Sequence, residues 1–210
     1  MEVIKDIKVE INKAKVFQVI SLKENSPAYK ESNELYNALV KEIRSGIFPK
    51  VIYSFSDKLE EKIAKGYDHS EKSMYVIITL GREITDIIDN CFKENLYLKG
   101  FLANTMADTM LFQLAKIADQ YIYDIAKKQY VNLTQKLSPG DNIPIELQKM
   151  ILQKIDPTGQ LDISITDGYM LNPQKSSSWM YGVYTNQPLV IKSEHPCYEC
   201  QNKNCLWRQE

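Results

Sequence analysis

With 210 residues, the chain is long enough for one large domain, or a domain with a short tail, and can bury roughly 70% of its unfolded surface without covalent staples. Its 26 basic and 27 acidic residues give a net charge of −1 with no polybasic block, which argues against nucleic acid and anionic membrane as partners. The opening Met1 to Asp6 lacks a charged-then-apolar targeting pattern, and the longest strongly apolar run, Tyr75 to Leu80, is too short to span a bilayer; both predict a cytoplasmic protein.

Ile7, Val9 and Ile11 alternate with polar residues, so a half-buried strand is expected over residues 4–11. Asn12 is the expected cap of a short helix to Ile20 that carries Val16, Phe17 and Ile20 on one face. Ser26-Pro27 opens an amphipathic helix in which Leu35, Leu39 and Ile43 recur every four residues until Gly46 ends it. Val51 to Phe55 reads as a strand, and the charged stretch Asp57 to Lys72 as an edge strand or an exposed loop. His69 lies in that stretch without a partner in sequence and receives no role.

Tyr75 to Leu80 is the best strand pattern, β-branched, continuous and stopped by Gly81, as in a strand buried on both faces. Ile84, Ile87, Ile88 and Cys91 then recur at helical spacing, which predicts a packed core thiol at Cys91. From Leu98 to Lys128 runs the longest helical pattern, roughly 45 Å if unbroken, with Leu102, Met106, Met110, Leu114, Ile117, Tyr121 and Ile125 as its stripe. Asp108, Asp119 and Asp124 lie off that stripe and are expected to be solvated, with no acid/base pair among them. Pro144 starts a further helix through Ile155, Leu161 to Ile165 alternates as a strand, and Trp179 to Thr185 is the last strand.

Two punctuated loops stand out. In Lys136-Leu137-Ser138-Pro139-Gly140-Asp141, proline presets φ and glycine reaches positive φ, a turn that would expose backbone N–H groups beside the Lys136 ammonium. In Met170 to Ser178, the cation Lys175 precedes Ser176, Ser177 and Ser178, and Trp179-Met180-Tyr181 follow as an apolar, aromatic surface for a flat polar ligand. The two loops are expected to approach across one sheet edge, which requires Lys136 and Tyr181 to lie within about 15 Å, a few strand spacings. The alternative is that both are ordinary surface turns.

The chain closes on His195, Cys197, Cys200 and Cys205, three thiols and an imidazole within a few residues. That is a complete set for zinc; the thiolates alone suit an iron–sulfur cluster with one open iron, or a site completed by Cys91 or another chain. A reduced thiol tail is the alternative. The chain therefore divides into a domain over residues 1–192 and a cysteine-rich tail over 193–210.

The ordered series Ser138-Pro139-Gly140, Pro144, Leu147-Gln148, Ile155-Asp156, Gly159, Leu161, Met170, Pro173 and Lys175-Ser176, with Gly81 to Ile84 upstream, resembles the activation domain of cobalamin-dependent methionine synthase. More closely, it resembles the stand-alone bacterial proteins that carry this domain alone. The resemblance covers most of the chain, the first fifty residues only loosely. It implies an α+β fold: a twisted, mainly antiparallel sheet packed by long helices. It implies an accessory role in reductive reactivation of a cobalamin- or corrinoid-dependent methyltransferase, with S-adenosylmethionine as methyl donor and the corrinoid on the partner protein.

By the same resemblance, Lys136 falls at the arginine that meets the ligand carboxylate, at the head of an Arg-x-x-Pro-Gly-Tyr signature that Ser138, Pro139 and Gly140 follow. Tyr181 falls on a ligand-contacting tyrosine, and Lys175 and Ser176 join the expected cofactor-binding set. Asp141 stands at the signature's tyrosine, Phe112 near a ligand-binding glutamate of the long helix, and Gly182 at an aromatic. Two further readings stay open: a corrinoid-protein docking module that no longer binds S-adenosylmethionine, and a redox module whose cysteine tail feeds electrons to the partner.

Overall fold

The computed structural model describes residues 1–58, 63 and 67–185. Its centre is a five-stranded antiparallel sheet in the order β1 (Glu2–Ile4), β2 (Lys50–Asp57), β3 (Lys72–Thr79), β7 (Ser176–Tyr184), β4 (Asn132–Leu133). The α+β fold expected from the sequence is the one observed. β3 is buried along almost its whole length because helices cover both faces of the sheet. On one side Met74, Val76 and Ile78 meet α1 (Lys13–Val19), α2 (Tyr29–Ser45), α3 (Glu83–Lys93) and α4 (Tyr97–Lys128). On the other, Tyr75 and Ile77 join Ile52 and Met180 against Leu147, Ile151 and Ile155 of α5 (Leu147–Ile155). The period-2 alternation of β3 thus feeds two separate cores. No helix among the described residues is long and apolar enough to cross a membrane.

Several boundaries differ from the sequence expectations. The first strand stops at Ile4, because Asp6 takes a φ of 59° and Val9 and Ile11 pack only at the margin of the helical core. Only Ser164–Ile165 of the expected strand 161–165 is paired, as β5, with β6 (Leu171–Asn172) in a separate two-stranded ribbon. β7 begins at Ser176, so the three serines expected in a loop are strand residues, held by the register Ser176↔Thr79, Ser177↔Ile78 and Ser178↔Ile77. Serine's weak strand preference is overridden by pairing to the best strand in the chain. Helix α4 matches its expected span, but beyond Leu114 its buried face runs through Ala118, Ile122 and Ala126, and Tyr121 of the expected stripe is exposed. Asn12 caps α1 by accepting from the Lys15 backbone N–H. Cys91 is buried on α3, as its spacing implied.

The residues of the cysteine run, His195, Cys197, Cys200 and Cys205, lie outside the described residues, as does the boundary at residue 192. Among the described residues, no group of three or more His, Cys, Asp or Glu side chains is placed to hold a metal ion.

Candidate functional site

β4 starts a segment that follows the free edge of β7. Asn132 and Leu133 pair with Tyr184 and Val183, and Leu137 exchanges backbone hydrogen bonds with Met180, 2.9 Å in each direction. Alternation along a strand then decides where each side chain goes. Leu137 and Met180 enter the core beneath α5. Lys136, Trp179 and Tyr181 therefore turn to the opposite face, toward α4. The Trp179-Met180-Tyr181 surface expected from the sequence is split by this alternation, and all three side chains are buried.

On the α4 side the groups converge on one carboxylate. The Lys136 ammonium donates to both Asp119 oxygens, Oδ1 and Oδ2, at 3.0 Å each, and the Tyr181 hydroxyl donates to Oδ1 at 3.0 Å. Lys136 Nζ also sits 3.6 Å from the centroid of the Trp179 ring, a cation–π contact in a largely desolvated setting. The Tyr123 ring, one turn along α4 from Asp119, lies 6.2 Å from that of Tyr181. The expected approach of Lys136 and Tyr181 is met, since both reach one oxygen atom.

Burial pushes the Lys136 ammonium below the ordinary lysine range, and Asp119 opposes that shift. Burial pushes the Tyr181 hydroxyl well above its ordinary value, with the Asp119 charge adding to it. Burial and then Asp119 raise Tyr123 to about 12. Asp119 is thus not the solvated carboxylate expected from its place off the apolar stripe. It lies off that stripe because it faces the sheet edge.

The Ser138-Pro139-Gly140 turn closes on itself. Asn142 Oδ1 accepts from the Ser138 N–H at 2.7 Å, and its Nδ2 donates to the Lys136 carbonyl at 2.9 Å. The Gly140 N–H donates to the Ile143 carbonyl at 2.9 Å, and Gly140 takes the positive φ, 81°, that the sequence implied. The backbone donors expected to face an anion are engaged within the loop.

Lys175 lies elsewhere. It is 7% exposed, and its ammonium donates to Asp108 Oδ1 at 2.6 Å and Asn104 Oδ1 at 2.8 Å. Asp108 and Asp119 are three helical turns apart on α4, about 16 Å at 1.5 Å per residue. Asp108, like Asp119, is paired and not simply solvated. Ser176 is turned away toward Thr79, its Oγ 2.8 Å from Thr79 Oγ1.

Two positions singled out by the family resemblance are now accounted for. Phe112 is 47% exposed, and the acidic side chain that α4 presents to Lys136 is Asp119. At Gly182 an added Cβ would stand 2.8 Å from Ser70 Cβ and 2.9 Å from Thr134 Cγ2, so no aromatic fits there. Asp119 was the residue that sequence reasoning left without a role at the site. Its signal was the eleven-residue interval from Asp108, which returns to the same helix face.

The fold is similar to that of a solved structure, the MetH reactivation domain bound to AdoHcy. The TM-score is 0.62 over 90% of this chain and 80% of that one, at 11% sequence identity. At that identity the similarity establishes the fold. No protein-family model and no curated protein matches the chain.

Proposed function

We propose that this protein assists the reductive reactivation of a cobalamin- or corrinoid-dependent methyltransferase, binding S-adenosylmethionine beside Lys136 and Tyr181. The observation that carries the reading is the meeting of Lys136 and Tyr181 on one half-buried carboxylate, at a sheet edge in a fold similar to a reactivation domain bound to AdoHcy. Both residues are positions that the family resemblance assigns to the ligand.

In this reading Lys136 holds the ligand carboxylate as a point charge without the bidentate fork of an arginine. The Ser138 to Gly140 turn is tied to the Lys136 carbonyl through Asn142, and Tyr181 lies against the ribose or amino acid portion. S-adenosylmethionine, when bound, supplies an electrophilic methyl group. The protein's own work is orientation toward the corrinoid partner, a contribution of proximity with no proton transfer. Lys175 and Ser176 act one step back, by fixing the start of β7 against α4 and β3.

A second reading, a corrinoid-protein docking module without the methyl donor, is favoured by a specific observation: the Lys136 ammonium and the Ser138 and Gly140 N–H groups already have partners within the chain. Calorimetric titration with S-adenosylmethionine separates the two. Micromolar binding that is lost in Lys136→Ala supports the reactivation role, and no binding up to millimolar ligand selects the docking module. For the cysteine run, one zinc or cluster iron per chain in anaerobically purified protein would support a metal-bearing tail at His195, Cys197, Cys200 and Cys205; well under one would remove it.

A further inference from the structure

We infer that the Asp119 carboxylate fills, from within the chain, a carboxylate-binding subsite, and so sets which ligands the Lys136–Tyr181 site accepts. For its nucleoside ligand the inference rests on the reading proposed above. For the subsite itself it rests on the count of donors and acceptors.

An ammonium has three N–H donors and a tyrosine hydroxyl has one. Lys136 directs donors to Oδ1 and Oδ2 of Asp119 and sets its charge over the Trp179 ring, and Tyr181 gives its proton to Oδ1. Two ammonium N–H groups and one phenol O–H are what a bound carboxylate requires, and Asp119 already has them. The Lys136 and Asp119 side chains are only 23% and 13% exposed, so water competes weakly for these contacts. One more donor, the buried Trp179 Nε1, lies beside the Tyr181 hydroxyl and meets no acceptor at full hydrogen-bond geometry among the described residues. Among the described residues, Asp119 is the carboxylate that the Lys136 and Tyr181 donors reach.

A carboxylate tethered to the rigid α4 acts at a high effective concentration, so a ligand carboxylate must displace it before it can reach Lys136. Apparent affinity falls by the fraction of molecules in which Asp119 has left. Ligands that carry no carboxylate escape this cost. Asp119 is thus a specificity-determining residue, discriminating between S-adenosylmethionine and a thionucleoside that lacks the amino acid end.

The test has two arms. In the first, Asp119→Ala in a Trp207→Phe background is titrated with acetate and followed by Trp179 fluorescence. A saturable response that is absent from the parent with Asp119 intact and from Asp119→Ala/Lys136→Met establishes the subsite. No response in Asp119→Ala, or the same response in the parent, overturns it. In the second arm, Asp119→Asn, which keeps the side-chain shape, is titrated with S-adenosylmethionine and with 5′-methylthioadenosine.

The expected result is S-adenosylmethionine binding at least about tenfold tighter than in the parent, with 5′-methylthioadenosine unchanged. Weaker or unchanged S-adenosylmethionine binding overturns the inference, because Asp119 would then be receiving the ligand's ammonium or playing no part. If neither nucleoside binds any variant, the methyl-donor reading fails, and the acetate arm still decides the subsite.

Discussion

Helix α4 carries two lysine–aspartate pairs on one face, and they differ in what surrounds them. Lys175 is the more deeply buried lysine; its partners are Asp108 and the Asn104 amide oxygen, and Asn104 Nδ2 in turn donates to Asp108 Oδ2. Among the described residues, no aromatic ring or hydroxyl is seen to enter that set. At the other pair, Lys136 lies over an indole and shares its carboxylate with a tyrosine hydroxyl. The first is a closed amide–carboxylate–ammonium set that ties the entry of β7 to the helix. The second combines a cation, an aromatic face, a hydroxyl and an indole N–H, the mixture that ligand sites use. The same pair of residue types serves fixation in one place and, under the proposed function, recognition in the other.

Unfolding measurements sharpen the contrast. Asp108→Ala strands the buried Lys175 ammonium with one amide oxygen, and the expected loss is about 3 kcal/mol in urea denaturation. Lys175→Met should cost less, because Asp108 keeps a third of its side chain in water and can be solvated there. At the other pair, Asp119→Ala leaves Lys136 partly exposed and still over Trp179, so about 2 kcal/mol is expected. Equal losses at Asp108 and Asp119 would break the comparison and make both pairs structural ties. Tyr181→Phe removes one hydrogen bond to a charged acceptor, at a cost of about 1.5 kcal/mol, and leaves the Lys136 pair in place.

Much of the scaffold was legible in the sequence because it depends on long, repeated patterns. The interior strand β3 and the long helix α4 each repeat one signal over many residues, and both lie where that signal placed them. The short strands were not legible in the same way. β5 and β6 have two residues each, too few for alternation to register, and Ser176 to Ser178 became strand through a partner distant in sequence. At the site, Lys136 and Tyr181 could be named from the resemblance. The group that joins them could not, because a lone aspartate off an apolar stripe reads the same whether it faces water or a sheet edge. Trp179 was read as surface for a related reason: its burial depends on α4 passing over β7.

The smallest effect, and the one that isolates the Lys136 end from the Lys175 end, lies in the alkaline limb of stability. Tyr181 and Tyr123 have folded-state values above the ordinary 10.0, so they bind their protons more tightly in the folded chain than in the unfolded one. Their contribution is complete below pH 10 and is lost as pH rises through the folded-state values. Lys136 runs the other way, because its folded-state value lies below 10.5 and stability rises as pH climbs from that value to 10.5, where the folded chain has shed its shielded charge and the unfolded chain has not. The unfolding free energy should therefore fall above pH 10, less steeply in Tyr181→Phe and Tyr123→Phe. Lys136→Met should remove the opposing rise below pH 10.5 and so expose the tyrosine loss at lower pH. Chemical denaturation from pH 8 to 11 reads all of these slopes. A Tyr181→Phe variant with an unchanged alkaline slope would mean that Tyr181 does not hold its proton against Asp119, and the second pair would then be as purely structural as the first.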